Sequence, residues 1–323
     1  MTTLLPRSQV PLDRLKAVLG KALGERMLDA EPIEDRGRFN DAVSLLGQSG
    51  RRWVARVAPD PRHLPYLRLE HGMLQREAAI ADQIADRRLI PPTVYFDPGD
   101  ELNGRAVLVR AFYEGINGQR LVANEPTAVE PLWRRLAEFD AGLAGMTQMT
   151  VGFPGVGSDK RWSDFVYRVA ESLIADLTDF GVDTTEAALL LPEIERFASV
   201  LDARPTRLCH GDLWPKNVLV RTPRTSMNLT VLDWERAFVG DPRSQWLRYG
   251  RDGLTMFSVD RDPGRHVTAN GRVTAEESLV DSIYLSIIAL QSLAESIRIP
   301  LDQRKAAEML RHSLDAIRLK SAE

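Results

Sequence analysis

The stretch Cys-His-Gly-Asp-Leu-Trp-Pro-Lys-Asn-Val-Leu-Val, residues 209–220, places two polar side chains at a fixed spacing before an apolar strand. Asp212 and Asn217 are five residues apart. A second apolar run, residues 229–232, ends at Asp233 and is followed by Trp-Glu. Two short apolar runs joined by a polar turn favour a β-hairpin. We therefore expect Asn217 and Asp233 to lie at the same end of two adjoining strands.

The spacing of Asp212 and Asn217 is that of a kinase catalytic loop, whose Asp accepts a hydroxyl proton and whose Asn holds Mg²⁺. With His-Gly-Asp at residues 210–212 and the Asp-Trp-Glu to Gly-Asp-Pro run at residues 233–242, the chain resembles the aminoglycoside phosphotransferase and choline kinase-like family of small-molecule kinases. The resemblance implies ATP and Mg²⁺ as cofactors, Asp212 as catalytic base, and Asn217 and Asp233 as metal ligands.

The fold class that this resemblance implies is α+β, with two lobes as in protein kinases. An antiparallel sheet with helices would form the N-terminal lobe, residues 1–112, which binds the nucleotide. A larger, mainly helical lobe, residues 113–323, would carry the catalytic loop and the acceptor site. The boundary is inferred from a shift from strand patterns to helix patterns near residue 112.

The composition is that of an ordinary globular protein, with 323 residues of which 44% are hydrophobic and 27% charged. A formal net charge of −3 argues against nucleic acid as the main partner. No apolar run reaches the roughly 18 residues of a membrane span, and residues 1–20 do not read as a secretory signal. The single cysteine, Cys209, fits a reducing compartment, so a cytoplasmic location is expected.

Apolar periodicity predicts the elements of the first lobe. Helices are expected over residues 10–30 and 67–88, and strands over residues 39–46, 52–57, 94–96 and 106–110. In the family, a short loop between the first two strands covers the nucleotide phosphates. Gly37 and Asn40 lie in the corresponding segment, which otherwise is an ordinary turn before a strand.

Arg56 stands where the family usually presents a phosphate-binding lysine, and no lysine lies between Lys21 and Lys160 to replace it. A guanidinium can bind phosphate oxygens through two hydrogen bonds and stays charged. The alternative is an arginine that faces outward from the strand.

Glu77 falls within an apolar helical stripe, where a carboxylate requires a partner. The resemblance proposes Arg56 as that partner, and Arg76 is a local alternative. Residues 111–115 correspond to the hinge of kinase folds, and Arg110 and Phe112 are the predicted backbone contacts to adenine.

Several residues near the motif have two interpretations. His210 is expected to tie the loop together, and Cys209 to be a buried inert thiol. Lys216 either contacts phosphate or faces solvent, and Asp241 either caps the next helix or binds the acceptor. Trp214 occupies the site where protein kinases usually carry a lysine.

The second lobe is predicted to be helical over residues 131–143, 162–180, 187–201, 279–297 and 301–319. The polar residues 252–274 form either a surface loop or a lid over the acceptor. The acceptor implied by the family is a hydroxyl of a small molecule, such as an aminoglycoside, another antibiotic, a sugar or an amino alcohol. A choice among these, and between monomer and homodimer, stays open.

Two other functions fit parts of the sequence. A nucleotide-binding regulator without activity is motivated by Arg56 in place of lysine. A protein kinase is disfavoured by Trp214 and by the lack of a long activation segment after Asp233.

Overall fold

An antiparallel sheet of five strands forms the first third of the chain. The computed structural model describes residues 10–33, 39–62, 64–84, 90–145, 150–155, 157, 159–221, 227–250, 274–298 and 303–321. The strands are β1 (Met27–Pro32), β2 (Asp41–Gly47), β3 (Arg52–Val57), β4 (Thr93–Asp97) and β5 (Val107–Ala111). They lie in the order β1-β2-β3-β5-β4.

The two faces of this sheet have different neighbours, because successive strand side chains point to opposite sides. Ala55 and Val57 of β3 are fully buried in one cluster with residues of helix α1 (Leu12–Leu23). Val54 and Arg56 point the other way, into a cleft. Helix α2 (Met73–Gln83) packs beside that second face, against β4 and β5.

The prediction of a helix over residues 10–30 is wrong beyond Leu23, where α1 ends. Gly24 follows in the left-handed conformation, with φ of 65°, and its N–H donates to the carbonyl of Gly20. A glycine adopts that conformation without steric cost and so ends a helix cleanly. Residues 27–32 form β1 instead, and residues 33–40 therefore connect the first two strands.

The helix predicted over residues 67–88 is also divided. A 3₁₀ turn covers Arg68–Glu70, and α2 begins after Gly72, which has φ of 73°. Residues 85–89 lie outside the described residues.

The rest of the described chain is mainly helical, with two small sheets. The helices are α3 (Gly118–Asn124), α4 (Val129–Gly142), α5 (Trp162–Asp179), α6 (Leu190–Arg196), α7 (Ala198–Asp202), α8 (Arg243–Gly250), α9 (Ala275–Ser296) and α10 (Gln303–Ser321). Strands β6 (Ile116–Asn117), β8 (Val218–Val220) and β9 (Leu229–Val231) form one small sheet, and β7 (Arg207–Cys209) pairs with β10 (Phe238–Gly240).

The helical core is built on α5, α9 and α10, whose apolar stripes meet in one buried cluster. The predicted stripe of α5 from Phe165 to Leu177 is buried, as expected. The single helix predicted over residues 187–201 is split, because Phe197 leaves helical geometry between α6 and α7. The loop predicted over residues 252–274 lies outside the described residues, except for Thr274, which caps α9.

None of the helices within the described ranges combines the length and hydropathy that a bilayer crossing requires. The architecture follows the predicted order of an antiparallel sheet and then helices. The exact boundary between lobes at residue 112 stays a prediction.

Candidate active site

The β8–β9 hairpin brings Asn217 and Asp233 to the same end of two strands. Val218 pairs with Val231, and the N–H of Leu232 donates to the carbonyl of Asn217 at 2.8 Å. Asn217 immediately precedes β8, and Leu232 alone separates Asp233 from the end of β9. The predicted hairpin is therefore present, although residues 222–226 of its turn lie outside the described part of the chain.

Asp212 and Asn217 are joined by hydrogen bonds across the loop between them. Asn217 Nδ2 donates to the backbone carbonyl of Asp212 at 2.8 Å and to Asp212 Oδ2 at 3.0 Å. A 3₁₀ turn over Pro215–Asn217 folds the loop back to allow this contact. The amide of Asn217 thus orients the Asp212 carboxylate, while its own carbonyl oxygen is the atom suited to a cation.

His210 holds this loop to the hairpin, in the structural role expected from the sequence. Its ring is fully buried, Nε2 lies 2.8 Å from the carbonyl oxygen of Leu232, and Nδ1 accepts from the N–H of Asp212 at 3.2 Å. Only a neutral ring with its proton on Nε2 makes both bonds. Burial lowers the pKa of His210, which favours that form. Burial likewise raises the pKa of the Cys209 thiol, as expected for an inert side chain.

Glycine is required at position 211 by the neighbouring atoms as well as by the backbone conformation. Its φ is 77°, and a Cβ atom at this position would overlap the carbonyl oxygen of Arg236. Its N–H donates to Gln245 Oε1 at 3.2 Å, and Gln245 Nε2 donates to the buried Asp140 at 2.5 Å. Asp140 and Gln245 were missed by sequence reasoning, because neither lies near the motif and neither carries a local signal.

Replacing Gly211 with Ala is expected to destabilise the protein more than the same change at Gly50, which has φ of 81° and open space around it. Both variants carry about 1–2 kcal/mol of left-handed backbone strain, and only Gly211→Ala adds the overlap with Arg236. Urea denaturation followed by tryptophan fluorescence measures both unfolding free energies. Equal losses of unfolding free energy in the two variants would show that the structure around Arg236 relaxes easily to accommodate the added methyl group.

Arg56 lies among three carboxylates at the cleft and does not face outward. Its Nη1 contacts Glu77 Oε2, and its Nη2 lies 2.9 Å from Asp233 Oδ1 and 2.5 Å from Glu235 Oε2. Only 16% of the Arg56 side chain is exposed. The ion pair proposed with Glu77 is present, whereas Arg76 donates to backbone carbonyls, including that of Glu235 at 3.2 Å.

Glu235 is a member of the site to which sequence reasoning gave no role, although it stands within the quoted Asp-Trp-Glu run. One ligand oxygen from each of Glu77, Asp233 and Glu235 lies within 4.8 Å of the others. Burial, together with the charge of Asp233, raises the pKa of Glu235 above its ordinary range. Burial acts in the same sense on Asp233, but the charges of Arg56 and Arg236 outweigh it and lower the pKa of Asp233.

Asn40 lies at the cleft, next to this cluster. It is 3% exposed, its Nδ2 donates to Glu235 Oε2, and its Oδ1 is buried without a hydrogen-bond partner. Gly37, the other residue predicted for a phosphate-covering loop, lies outside the described residues. The connection of residues 33–40 joins β1 to β2, which is where the family resemblance places that loop.

Arg110 and Phe112 occupy the strand end predicted to contact adenine, but in different ways. The Arg110 side chain is buried, with Nε 3.3 Å from Glu77 Oε1 and Nη2 donating to the carbonyl of Glu77 at 2.8 Å. It therefore helps to fix Glu77. The N–H of Phe112 donates to the carbonyl of Arg52 at 3.1 Å, so that amide is already used in the sheet.

The structure also bears on the two interpretations of Lys216 and of Asp241. Lys216 lines the cleft. Asp241 is 1% exposed, and its Oδ1 accepts from the N–H of Arg243 at the start of α8 at 2.9 Å. The capping interpretation of Asp241 is therefore confirmed.

The cleft between the five-stranded sheet and the β8–β9 hairpin has a volume of about 700 Å³. Its wall includes Arg56 and Glu77 from the sheet side, and Asn217 and Asp233 from the hairpin side. Residues 111–115 also line this cleft. This volume is within the range typical of small-molecule and cofactor sites.

Comparisons with known proteins agree with this geometry. The model of the phosphotransferase enzyme family (APH) matches residues 30–244. The chain is similar to a thermostable aminoglycoside phosphotransferase APH(4)-Ia in complex with ADP and hygromycin B, at 20% identity and a TM-score of 0.66, over 96% of this chain and 99% of that one. No curated protein sequence matches the chain.

Two further solved structures have the same fold. The GDP complex of aminoglycoside 2'-phosphotransferase-IIIa is 18% identical, with a TM-score of 0.58 over 94% of this chain and 99% of that one. A proposed fructosamine-3-kinase from Thermobifida fusca YX-ER1 is 17% identical, with a TM-score of 0.60 over 94% and 98%. The predicted two-lobed kinase-like fold is therefore confirmed. Because the family model spans most of the chain, the protein belongs to the phosphotransferase enzyme family and is a small-molecule kinase, as the sequence predicted.

Proposed function

We propose that this enzyme transfers the γ-phosphoryl group of ATP to a hydroxyl group of a small molecule, with Asp212 as the catalytic base. The observation that carries the proposal is that Asn217 and Asp233 line one cleft together with Arg56. Asp212 is held next to Asn217 by a hydrogen bond. Phosphoryl transfer requires alignment of the reacting groups and compensation of phosphate charge, and this set supplies both.

Asn217 and Asp233 are suited to hold Mg²⁺, which prefers oxygen ligands and usually takes only one or two from the protein. Asp233 Oδ1 is buried and receives no hydrogen bond of good geometry, although it forms an ion pair with Arg56. Its lowered pKa keeps it ionised, as a metal ligand must be. When bound, the ion would neutralise charge on the phosphates.

Arg56 is proposed to bind the nucleotide phosphates in the place of a lysine. Glu77 holds it on the α2 side, and Arg110 in turn holds Glu77. The guanidinium is therefore fixed at the cleft before the nucleotide arrives, which reduces the ordering that binding requires. The adenine is proposed to lie at residues 111–115, and Asn40 to contribute at the phosphate end.

The proposed reaction needs no proton acceptor other than Asp212. The acceptor hydroxyl gives its proton to the Asp212 carboxylate as its oxygen bonds to the γ-phosphorus. The bond from that phosphorus to the β–γ bridging oxygen breaks, and ADP leaves with the electron pair. Asn217 keeps the carboxylate oriented through its Nδ2.

The test supplies the purified chain with Mg²⁺, ATP or GTP, and a panel of hydroxyl compounds that includes aminoglycosides, sugars, amino alcohols and simple alcohols. ADP release and a phosphomonoester detected by mass spectrometry are the expected results. Nucleotide binding without turnover on any acceptor would favour the regulator instead. Labelled phosphate on polypeptide would favour a protein kinase. A location in the cytoplasm stays a prediction.

A further inference from the structure

A second cavity lies among the helices, separate from the nucleotide cleft. Its volume is about 130 Å³, and most of its wall is aliphatic or aromatic. The main apolar contributors are Phe153, Trp162, Phe165, Leu173, Ile287 and Ile288. Apolar cavities of about this size can bind small apolar molecules.

This cavity adjoins the catalytic loop. Gly211, which directly precedes Asp212, forms part of its wall together with Gln245 and Arg236. Asp212 therefore follows a residue of the cavity wall directly in the chain.

The carboxylates that line the cavity in the described part of the chain are both neutralised by arginine. Glu70 Oε1 lies 2.6 Å from Arg298 Nη2, and Glu295 Oε1 lies 2.7 Å from Arg236 Nη2. Gln291 also donates to Glu295 at 2.8 Å. An ammonium group entering here would therefore find no carboxylate in the described wall that lacks an arginine partner.

The aromatic wall is ordered by its own contacts. Trp162 stacks on Phe165 at 5.3 Å and on Phe238 at 5.8 Å between ring centroids. Its Nε1 donates to the hydroxyl of Tyr284 at 2.7 Å, and that hydroxyl donates to Asp241 at 3.0 Å. Because these polar atoms are already paired, the wall offers ring carbons to a ligand.

We propose that the phosphate acceptor is an uncharged alcohol with a compact apolar group, about the size of a six-membered ring, seated in this cavity with its hydroxyl directed to Asp212. The inference rests on the proposed phosphotransfer function and names its acceptor class. The size follows from the volume, since an engineered apolar cavity of about 150 Å³ holds benzene. The ligand is inferred to be uncharged because both carboxylates of the described wall are already paired with arginine.

The test compares benzyl alcohol with 4-(aminomethyl)benzyl alcohol, which adds one ammonium to the same ring and hydroxyl, and with hygromycin B as a polycation. Binding to the full chain loaded with Mg²⁺ and ADP is measured by ligand-observed NMR, and turnover by ADP release with Mg²⁺ and ATP. Ile287→Trp fills the cavity. Leu293→Trp is the matched control, because Leu293 is also partly buried on α9 but does not line the cavity.

Benzyl alcohol is expected to bind at least about tenfold tighter than its ammonium analogue. Ile287→Trp is expected to weaken the binding of benzyl alcohol by about tenfold or more. Leu293→Trp should bind it as tightly as the wild type does. Tighter binding or faster turnover of either cation, no binding of benzyl alcohol, or an unchanged affinity in Ile287→Trp would overturn the inference. The comparison of ligands on the wild-type chain does not depend on the variants. Loss of Mg²⁺–ADP binding by the wild type would instead refute the proposed function.

Discussion

Asp212→Asn is expected to lower kcat by about 10²–10⁴, the usual contribution of a positioned general base. Nucleotide affinity should stay within about twofold of wild type, because Asp212 is proposed to face the acceptor and not to hold the metal. The substitution is nearly isosteric. Its side-chain oxygen can still accept from Asn217 Nδ2, as Asp212 Oδ2 does at 3.0 Å. The loop should therefore remain in place while the proton acceptor is lost.

Steady-state kinetics with the best acceptor, together with calorimetric ADP binding in Mg²⁺, measures both quantities. Asp212→Ala serves as a comparison, because it also removes the side-chain hydrogen bond with Asn217 and should weaken metal-dependent nucleotide binding as well. An unchanged kcat in Asp212→Asn would remove Asp212 from the role of base.

Asp233→Asn is expected to abolish most of the gain in nucleotide affinity that Mg²⁺ provides, and to lower kcat/KM by about 10³-fold or more. The loss of a charged ligand is the reason, since Asn217 alone is neutral. Asn is the better substitution because Asp233 has φ of 64° and ψ of 56°, a conformation that Asn tolerates and Ala does not. Nucleotide binding is titrated at several Mg²⁺ concentrations.

Glu235→Gln is the control for that experiment, because Glu235 lies in the same cluster of carboxylates and contacts the same Arg56. Glu235→Gln should alter the contacts of Arg56 and therefore the overall nucleotide affinity, while the dependence of that affinity on Mg²⁺ persists. If Mg²⁺ dependence survives in Asp233→Asn and disappears in Glu235→Gln, the metal ligand is Glu235.

The sequence was sufficient for the parts of the site that depend on local spacing. Asp212 and Asn217 are connected by one short loop, and the hairpin needed only two apolar runs and a polar turn to place Asp233 beside them. The strand–helix pair of Arg56 and Glu77 could be proposed because a carboxylate in an apolar stripe demands a partner. Arg56 was preferred to Arg76 as the partner of Glu77 because of the family resemblance.

Other features depend on contacts between distant segments and left no local pattern. Glu235 joins Arg56 across 179 residues, and Gln245 joins Asp140 across 105. The apolar cavity beside Gly211 combines residues from distant regions of the chain, among them residues 67–76, 162–173 and 284–295, and each of these three alone resembles ordinary core. Strand β1 was missed because the helical periodicity of α1 masked the change at Gly24.

The overlap that any side chain at Gly211 would meet shows how tightly the Asp212 loop is seated on the backbone at Arg236. His210 adds a hydrogen bond from that loop to Leu232, next to Asp233. The two loops are thus tied to each other through the backbone, whereas Arg56 reaches them through side-chain ion pairs. Phosphate binding at Arg56, as proposed, would then rearrange side chains there and leave the Asp212 loop seated.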